Sequence, residues 1–225
     1  MELNIIKDLF DGFLVTIAIF LITLVLSIPL GLLITFASKS KFKPVRYLAR
    51  GIVWVIRGTP LMLQVLFVSF LPSMFNLMNK DLAKIFGVSI NTLMFIFVCF
   101  AFVINYACYF SEIFRGAIDS IPKGQYEAGK VLGMTKREVF KKVILFQVVK
   151  RSVAPMSNEI ITLVKDTALA QVLGVIDLLS ASKQAVNNYG VLRPFIYATV
   201  FYLVFSALLT LLFRYIENKF SFYKE

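Results

Sequence analysis

The chain contains no histidine and only two cysteines, and 13 of its 225 residues are acidic. Without histidine there is no His-based catalytic triad and no imidazole to ligate a metal. Cys99 and Cys108 fall in one apolar segment. There they read as small packing residues rather than as a disulfide or a metal pair. No nucleophile–base constellation is visible, which argues against a membrane enzyme. Charge is scarce altogether: charged residues make up 16% of the chain, against ~25% in soluble domains.

What is present is apolar. Hydrophobic residues account for 59% of the chain, and the mean hydropathy is +0.80. A bilayer crossing needs ~20 apolar residues. The pattern predicts about five spanning helices, at residues 12–37, 58–78, 89–114, 152–174 and 193–214. The first run is too long for a signal-peptide core and follows Asp8 and Asp11 rather than a basic segment, so it reads as a retained helix. With no internal repeat and no low-complexity linker, the expectation is an all-α integral membrane protein, a single permease-sized domain over residues 1–225.

The net charge of +11 is topology information. Lys39, Lys41, Lys43, Arg46, Arg50 and Arg57 lie between the first two spans with no acid among them. A second basic stretch, from Arg115 to Arg151, separates the third and fourth spans. The other two connections are close to neutral and the N-terminus is acidic. Basic loops stay in the cytoplasm. The N-terminus is therefore expected outside and the C-terminus inside. Nucleic-acid binding has no other support.

Residues 124–131 read GQYEAGKV. They fit the phosphate-binding loop G-x-x-x-x-G-K-[ST] at all but the last position, Val131, where a hydroxyl should hold magnesium. A P-loop joins a buried strand to a helix, and this chain has no room for such a domain. Another reading accounts for every residue. Pro122 suits the first turn of a helix over 122–132. Gly133 suits its C-cap, where positive φ is needed. Thr135 and Glu138 form a capping box that opens the next helix, whose apolar positions Val139, Phe140, Val143 and Ile144 share a face. From these residues alone, a docking helix and a solvated amphipathic linker both stay open.

The stretch Glu127-Ala128-Gly129-Lys130-Val131-Leu132-Gly133 resembles the E-A-A-x-x-x-G signature of permease subunits of ATP-binding-cassette (ABC) importers, with Gly129 where the family usually has Ala. Other stretches resemble the branch that takes up polar amino acids. Arg57-Gly58-Thr59-Pro60-Leu61 looks like R-G-T-P-L. Ser111 to Gly116 looks like A-E-I-x-R-G-G, Ile121 to Gln125 like I-P-x-G-Q, and Asn158 to Leu169 like N-E-x-I-x-L-x-K-D-T-S-L. The resemblance spans most of the chain. It implies the type I importer permease fold, with a cytoplasmic coupling helix between spans three and four (segment about 120–138) that docks on a separate ATPase. In that reading Glu127, Ala128, Gly129 and Gly133 serve ATPase coupling, and ATP and magnesium are bound by the partner, not by this chain. The implied partners are ABC ATPase subunits, a second permease subunit, an extracytoplasmic amino-acid-binding protein and an amino acid. The implied location is a bacterial inner or plasma membrane.

Ionisable residues inside a span cost ~2.5–3.5 kcal/mol on insertion scales and mark functional sites. In the fourth span Asn158, Glu159, Thr162, Lys165 and Asp166 fall within about a third of the helix circumference. A carboxylate there can meet a substrate ammonium. Thr162, Gln64 or Asn105 can donate to its carboxylate. The resemblance implies Glu159 first and Asp166 second as substrate-binding residues. Lys165 simply neutralising Asp166 is the competing structural reading, and Gln64 and Asn105 as interhelical glue is another. Glu112 and Arg115 read as an i, i+3 ion pair, Arg57 as a headgroup-level cation, Thr59 and Pro60 as an N-cap and first turn, and Tyr106 and Tyr109 as packing residues. Basic, polar neutral and cystine-like substrates stay open, as do homodimer and heterodimer. A secondary carrier driven by an ion gradient is the alternative function; a scaffold without transport is a third.

Overall fold

The computed structural model describes residues 2–220, and the chain over that range is helical. Helix α1 (Glu2–Ser38) and helix α2 (Lys43–Arg57) are followed by α3 (Leu61–Phe70), which tightens into a 3₁₀ turn at Leu71–Phe75. A short α4 (Asn79–Ile85) precedes α5 (Ile90–Asp119). Next come α6 (Lys123–Val131), the single turn α7 (Lys136–Glu138), a π-helical stretch Val139–Ile144 and α8 (Leu145–Asp166). A 3₁₀ segment Thr167–Leu173, α9 (Leu178–Tyr189) and α10 (Arg193–Phe220) complete the order.

Among the described residues, α1, α5 and α10 are each long and apolar enough to cross a membrane. Helices α2 and α3 with its 3₁₀ turn pass that test only as a pair, and the pair is bent by 107°. The second predicted span, 58–78, therefore starts at a corner. Pro60 is the residue before α3, not its first turn, and Thr59 is not its N-cap. Thr59 Oγ1 instead donates back to the Val55 and Ile56 carbonyls at 3.0 and 3.3 Å, closing the end of α2. Gly58 fits there because a Cβ would lie 2.9 Å from the Trp54 carbonyl oxygen. The fourth predicted span, 152–174, is α8 with its 3₁₀ extension, and its polar residues keep it from reading as apolar.

The core forms where α1 packs against α5. Thr23, Ser27, Gly31 and Thr35 recur every fourth residue on α1 and are fully or nearly fully buried. Small residues at this spacing let two backbones approach closely in lipid, where dispersion replaces the hydrophobic effect between helices. A Cβ on Gly31 would sit 3.0 Å from the Ala107 carbonyl oxygen and from Phe110 Cβ. Thr35 Oγ1 donates to Ser111 O at 3.0 Å across the same contact. Phe102, Tyr106 and Phe110 of α5 and Leu163 and Val164 of α8 extend this core. Phe13 and Phe20 pack on Phe201 and Phe205 and bring α10 against the opposite side.

Candidate functional site

The polar residues of α8 divide into two edges. Asn158, Thr162 and Lys165 are exposed, and Thr162 Oγ1 returns its proton to the Asn158 carbonyl at 2.9 Å. Glu159 and Asp166 are half-buried, on the edge that turns toward α5. Tyr106, 2% exposed, donates its hydroxyl to Asp166 Oδ2 at 2.7 Å. Tyr106 is thus more than a packing residue: it ties the middle of α5 to the end of α8. Nothing in the sequence spacing pairs positions 60 residues apart; the signal was a tyrosine and an aspartate in neighbouring spans.

Gln64 and Asn105 meet each other, Asn105 Nδ2 donating to Gln64 Oε1 at 3.0 Å. Gln64 Nε2 in turn donates to the Ile56 carbonyl at 2.7 Å and to Thr59 O and Oγ1 at 3.1 and 2.9 Å. Those acceptors belong to the corner between α2 and α3, whose carbonyls have lost their helical partners. The pair therefore stitches the corner to α5.

Arg57 ends α2. Its guanidinium lies 5.1 Å from the Tyr109 ring centroid and 3.6 Å from Glu112 Oε2. Glu112 is also held by Arg115 through two bonds, at 2.8 and 2.5 Å. Arg115 reaches Asp119 at 3.2 Å, and Lys39 at the end of α1 pairs with the same Asp119. The expected Glu112–Arg115 pair is one link in a chain of charges that joins α1, α2 and α5 beside the start of α6.

Helix α6 runs over Lys123–Val131, one residue shorter at each end than expected, with Pro122 before its first turn and Leu132 as its C-cap. Gly133 has φ +72°. Its N–H donates to the Lys130 carbonyl at 3.1 Å, and the Met134 N–H to the Gly129 carbonyl at 3.0 Å. These two bonds make a Schellman turn. The capping box then forms reciprocally: Glu138 N–H donates to Thr135 Oγ1 at 3.3 Å and Thr135 N–H to Glu138 Oε2 at 3.0 Å. The bond from the Thr135 N–H, and a second from the Thr135 hydroxyl to Glu138 Oε2 at 2.9 Å, hold Glu138 below the usual carboxylate range. Gly129 faces inward, against Val139. Glu127 and Ala128 are exposed, as are Val131 at 88% and Leu132 at 77%. No strand precedes this stretch among the described residues, so the near-match to a phosphate loop is a helix. From Lys136 onward the chain is helical without interruption to Asp166, a rod of ~45 Å at 1.5 Å per residue. Val139, Phe140, Val143 and Ile144, the predicted apolar face, pack with Ala117 and Ile121 at its base. The sequence reading had separated this second helix from the fourth span.

No group of three or more Cys, Asp or Glu able to hold a metal occurs among the described residues. A helical membrane body with a polar face on one helix, which runs back without a break to the turn behind an exposed short helix, has the arrangement of a membrane permease component. The chain belongs to the family of binding-protein-dependent transport system inner membrane components, whose match covers residues 27–222.

Two curated relatives from Bacillus subtilis (strain 168) are similar along nearly the whole chain. The L-cystine transport system permease protein TcyB is 34% identical over 214 residues, covering 94% of this chain and 86% of the relative. The arginine transport system permease protein ArtQ is 32% identical over 210 residues, covering 93% and 90%. Among solved structures, the crystal structure of an amino acid ABC transporter with histidines superimposes with a TM-score of 0.85 at 26% identity, over 97% of this chain and 96% of the other. The protein is therefore the multi-pass membrane permease subunit of a bacterial ABC importer, and not an enzyme. The ion-gradient carrier that the sequence left open is set aside by this membership.

Proposed function

We propose that the chain forms, with a second identical or related permease subunit, the translocation path of an importer of polar amino acids. ATP and magnesium are bound by partner ATPase subunits, and a separate extracytoplasmic protein delivers the substrate. The permease is a single domain with its N-terminus outside, its C-terminus inside and its segment 120–138 in the cytoplasm. The basic residues of α2 and of the stretch from Arg115 to Arg151 support this orientation.

Substrate meets the α8 face. Glu159 takes the ammonium, Asp166 lies ~10 Å further along the same face, and Asn158 and Thr162 supply polar contacts along its exposed edge. Gln64 and Asn105 hold the α2–α3 corner beside the path rather than touching substrate. Helix α6 docks on the ATPase through its outward residues, with Glu127, Ala128 and Val131 at the contact, while Gly129 and Gly133 shape the turn. ATP-driven closure of the ATPase pair moves α6, and the rod from Lys136 to Asp166 carries that movement to Glu159.

One observation carries this reading: the polar face belongs to an uninterrupted helical rod, Lys136 to Asp166, whose base begins at the turn directly after the exposed helix α6. The relatives named for cystine and for arginine are about equally similar to this chain, which supports an amino acid as the substrate class and leaves the individual amino acid to experiment. The test is uptake of labelled amino acids into proteoliposomes bearing the complete transporter. Glu159→Gln should lower uptake at least about tenfold, the equivalent of one lost charge-assisted hydrogen bond, with assembly unchanged. Undiminished uptake would remove Glu159 from the path. ATP-independent uptake by the chain alone would overturn the coupling.

A further inference from the structure

Helix α2 meets α3 at a bend of 107°, and its surface is sorted by chemistry. At 100° per residue, Lys43, Arg46, Arg50 and Arg57 fall within about 60° of one another. The exposed apolar residues Val45, Leu48, Ile52 and Val55 occupy an arc of about 80° on the opposite side. Tyr47 and Trp54, 63% and 78% exposed, flank the cations, and the Arg46 guanidinium lies 5.3 Å from the Tyr47 ring centroid. Only Val53 is buried. From Lys39 to Arg57 there is no acid.

Some of these cations are already engaged. Lys39 pairs with Asp119, Arg57 with Glu112, and Arg50 Nε donates to the Ser38 carbonyl at 3.2 Å. Lys41, Lys43 and Arg46 have no carboxylate partner among the described residues. The helix thus presents an apolar face and, on the other side, unneutralised cations with the amphipathic aromatics Tyr47 and Trp54 beside them. That is the composition of a helix lying in the plane of a membrane surface, and the uncompensated charge selects anionic headgroups.

We propose that α2 is an interfacial helix that binds anionic phospholipid headgroups through Lys43 and Arg46, with Lys41 beside them, its apolar face sunk among the acyl chains. The Lys39–Asp119 and Arg57–Glu112 contacts fix it at the end of the molecule where α6 emerges. The inference rests on the proposed orientation only for the leaflet, the cytoplasmic one. Through Arg57 and Glu112 the lipid contact is linked to the base of α6, so headgroup composition would bias the position of the coupling turn.

The chain has one tryptophan, and it stands on this helix, so Trp54 is a built-in reporter. The full-length permease is reconstituted in mixed phosphatidylcholine–phosphatidylglycerol bilayers in which either one lipid or the other carries brominated acyl chains. Brominated phosphatidylglycerol should quench Trp54 more strongly than brominated phosphatidylcholine at equal content. Each cation near the surface is worth about a fivefold preference, so Lys43→Gln with Arg46→Gln should lower the apparent selectivity about 25-fold, and Lys43→Arg with Arg46→Lys should restore it. An unchanged Trp54 emission maximum in detergent shows that the variants keep α2 intact. Equal quenching by the two lipids would overturn headgroup selection. Absence of quenching by either would mean that a second copy of the chain, not lipid, covers the helix. The readout needs no transport, so it stands or falls separately from the proposed import of amino acids.

Discussion

Gly129 on α6 faces Val139 at the start of the π-helical stretch so closely that a Cβ on Gly129 would lie 2.5 Å from Val139 Cγ2 and 3.2 Å from Cγ1. The departure from the family's usual Ala is therefore matched by its surroundings: the methyl group that an alanine would supply is replaced by a valine methyl from across the turn. Gly129→Ala gains up to ~1 kcal/mol of helix propensity but overpacks a β-branched residue with few rotamers to retreat to, a cost of ~1–3 kcal/mol. The net should be destabilising, with α6 displaced and uptake reduced. The double variant Gly129→Ala, Val139→Ala should recover most of the loss. Thermal unfolding and uptake of the parent and the two variants check this, and a Gly129→Ala protein as stable as the parent would show that the turn has slack.

Gly133 poses a different problem, because no atom lies within 4 Å of where its Cβ would be. Its constraint is the backbone alone, φ +72°. An L-residue in the left-handed region costs ~1–2 kcal/mol, more when β-branched and less for Asn. Gly133→Asn should therefore keep near-normal uptake, and Gly133→Val should insert into the membrane normally but lose ATPase-coupled uptake. Protease accessibility of the loop and transport by the two variants separate the cases. Normal transport by Gly133→Val would mean that the Schellman turn is dispensable.

The turn was legible because its signals are local. A proline, a left-handed glycine and a T-x-x-E box each act within four residues, so the sequence indicated the helix ends to within about a residue. The corner between α2 and α3 was harder. Its proline and threonine resembled a helix start, and the sequence carried no sign that Gln64 would reach back to the Ile56 carbonyl or that Thr59 would close the preceding helix. The amphipathic α2 passed for a basic loop, because its cations drew attention to topology and away from the apolar residues between them. The Tyr106–Asp166 contact depends on how α5 and α8 pack, information that resides in their whole surfaces rather than in a motif.

That contact gives a prediction with its own control. Tyr106 is buried and its hydroxyl binds Asp166 at 2.7 Å, so Tyr106→Phe removes one hydrogen bond to a charged group and little else. The expected loss is ~1.5–3 kcal/mol. Asp166→Asn keeps the shape and weakens the same bond. If the two residues act as a unit, the double variant should be only slightly less stable than the worse single one, a coupling of at least ~0.5 kcal/mol. Additive losses in a thermal-unfolding cycle would show that the hydroxyl and the carboxylate are separately satisfied.

The capping box adds a pH dependence with a definite sign. Glu138 is held below the usual carboxylate range by the Thr135 N–H, the Thr135 hydroxyl and Lys142. A carboxylate with a depressed native pKa contributes stability above its unfolded value and loses it as pH falls through the native value. The turn should be fully held at neutral pH, should begin to loosen as pH falls into the ordinary glutamate range, and should have lost the carboxylate's contribution once pH is below the depressed native value. Hydrogen exchange at the Thr135 and Glu138 amides, followed from neutral to acid pH, reports this locally, because these two N–H groups are the ones the box protects. Glu138→Gln can still accept the Thr135 N–H but has no charge to lose, so its protection should be lower at neutral pH and flat toward acid. An acid-induced loss of protection that is the same in Glu138→Gln would assign the titration to another group and leave the capping box electrically silent.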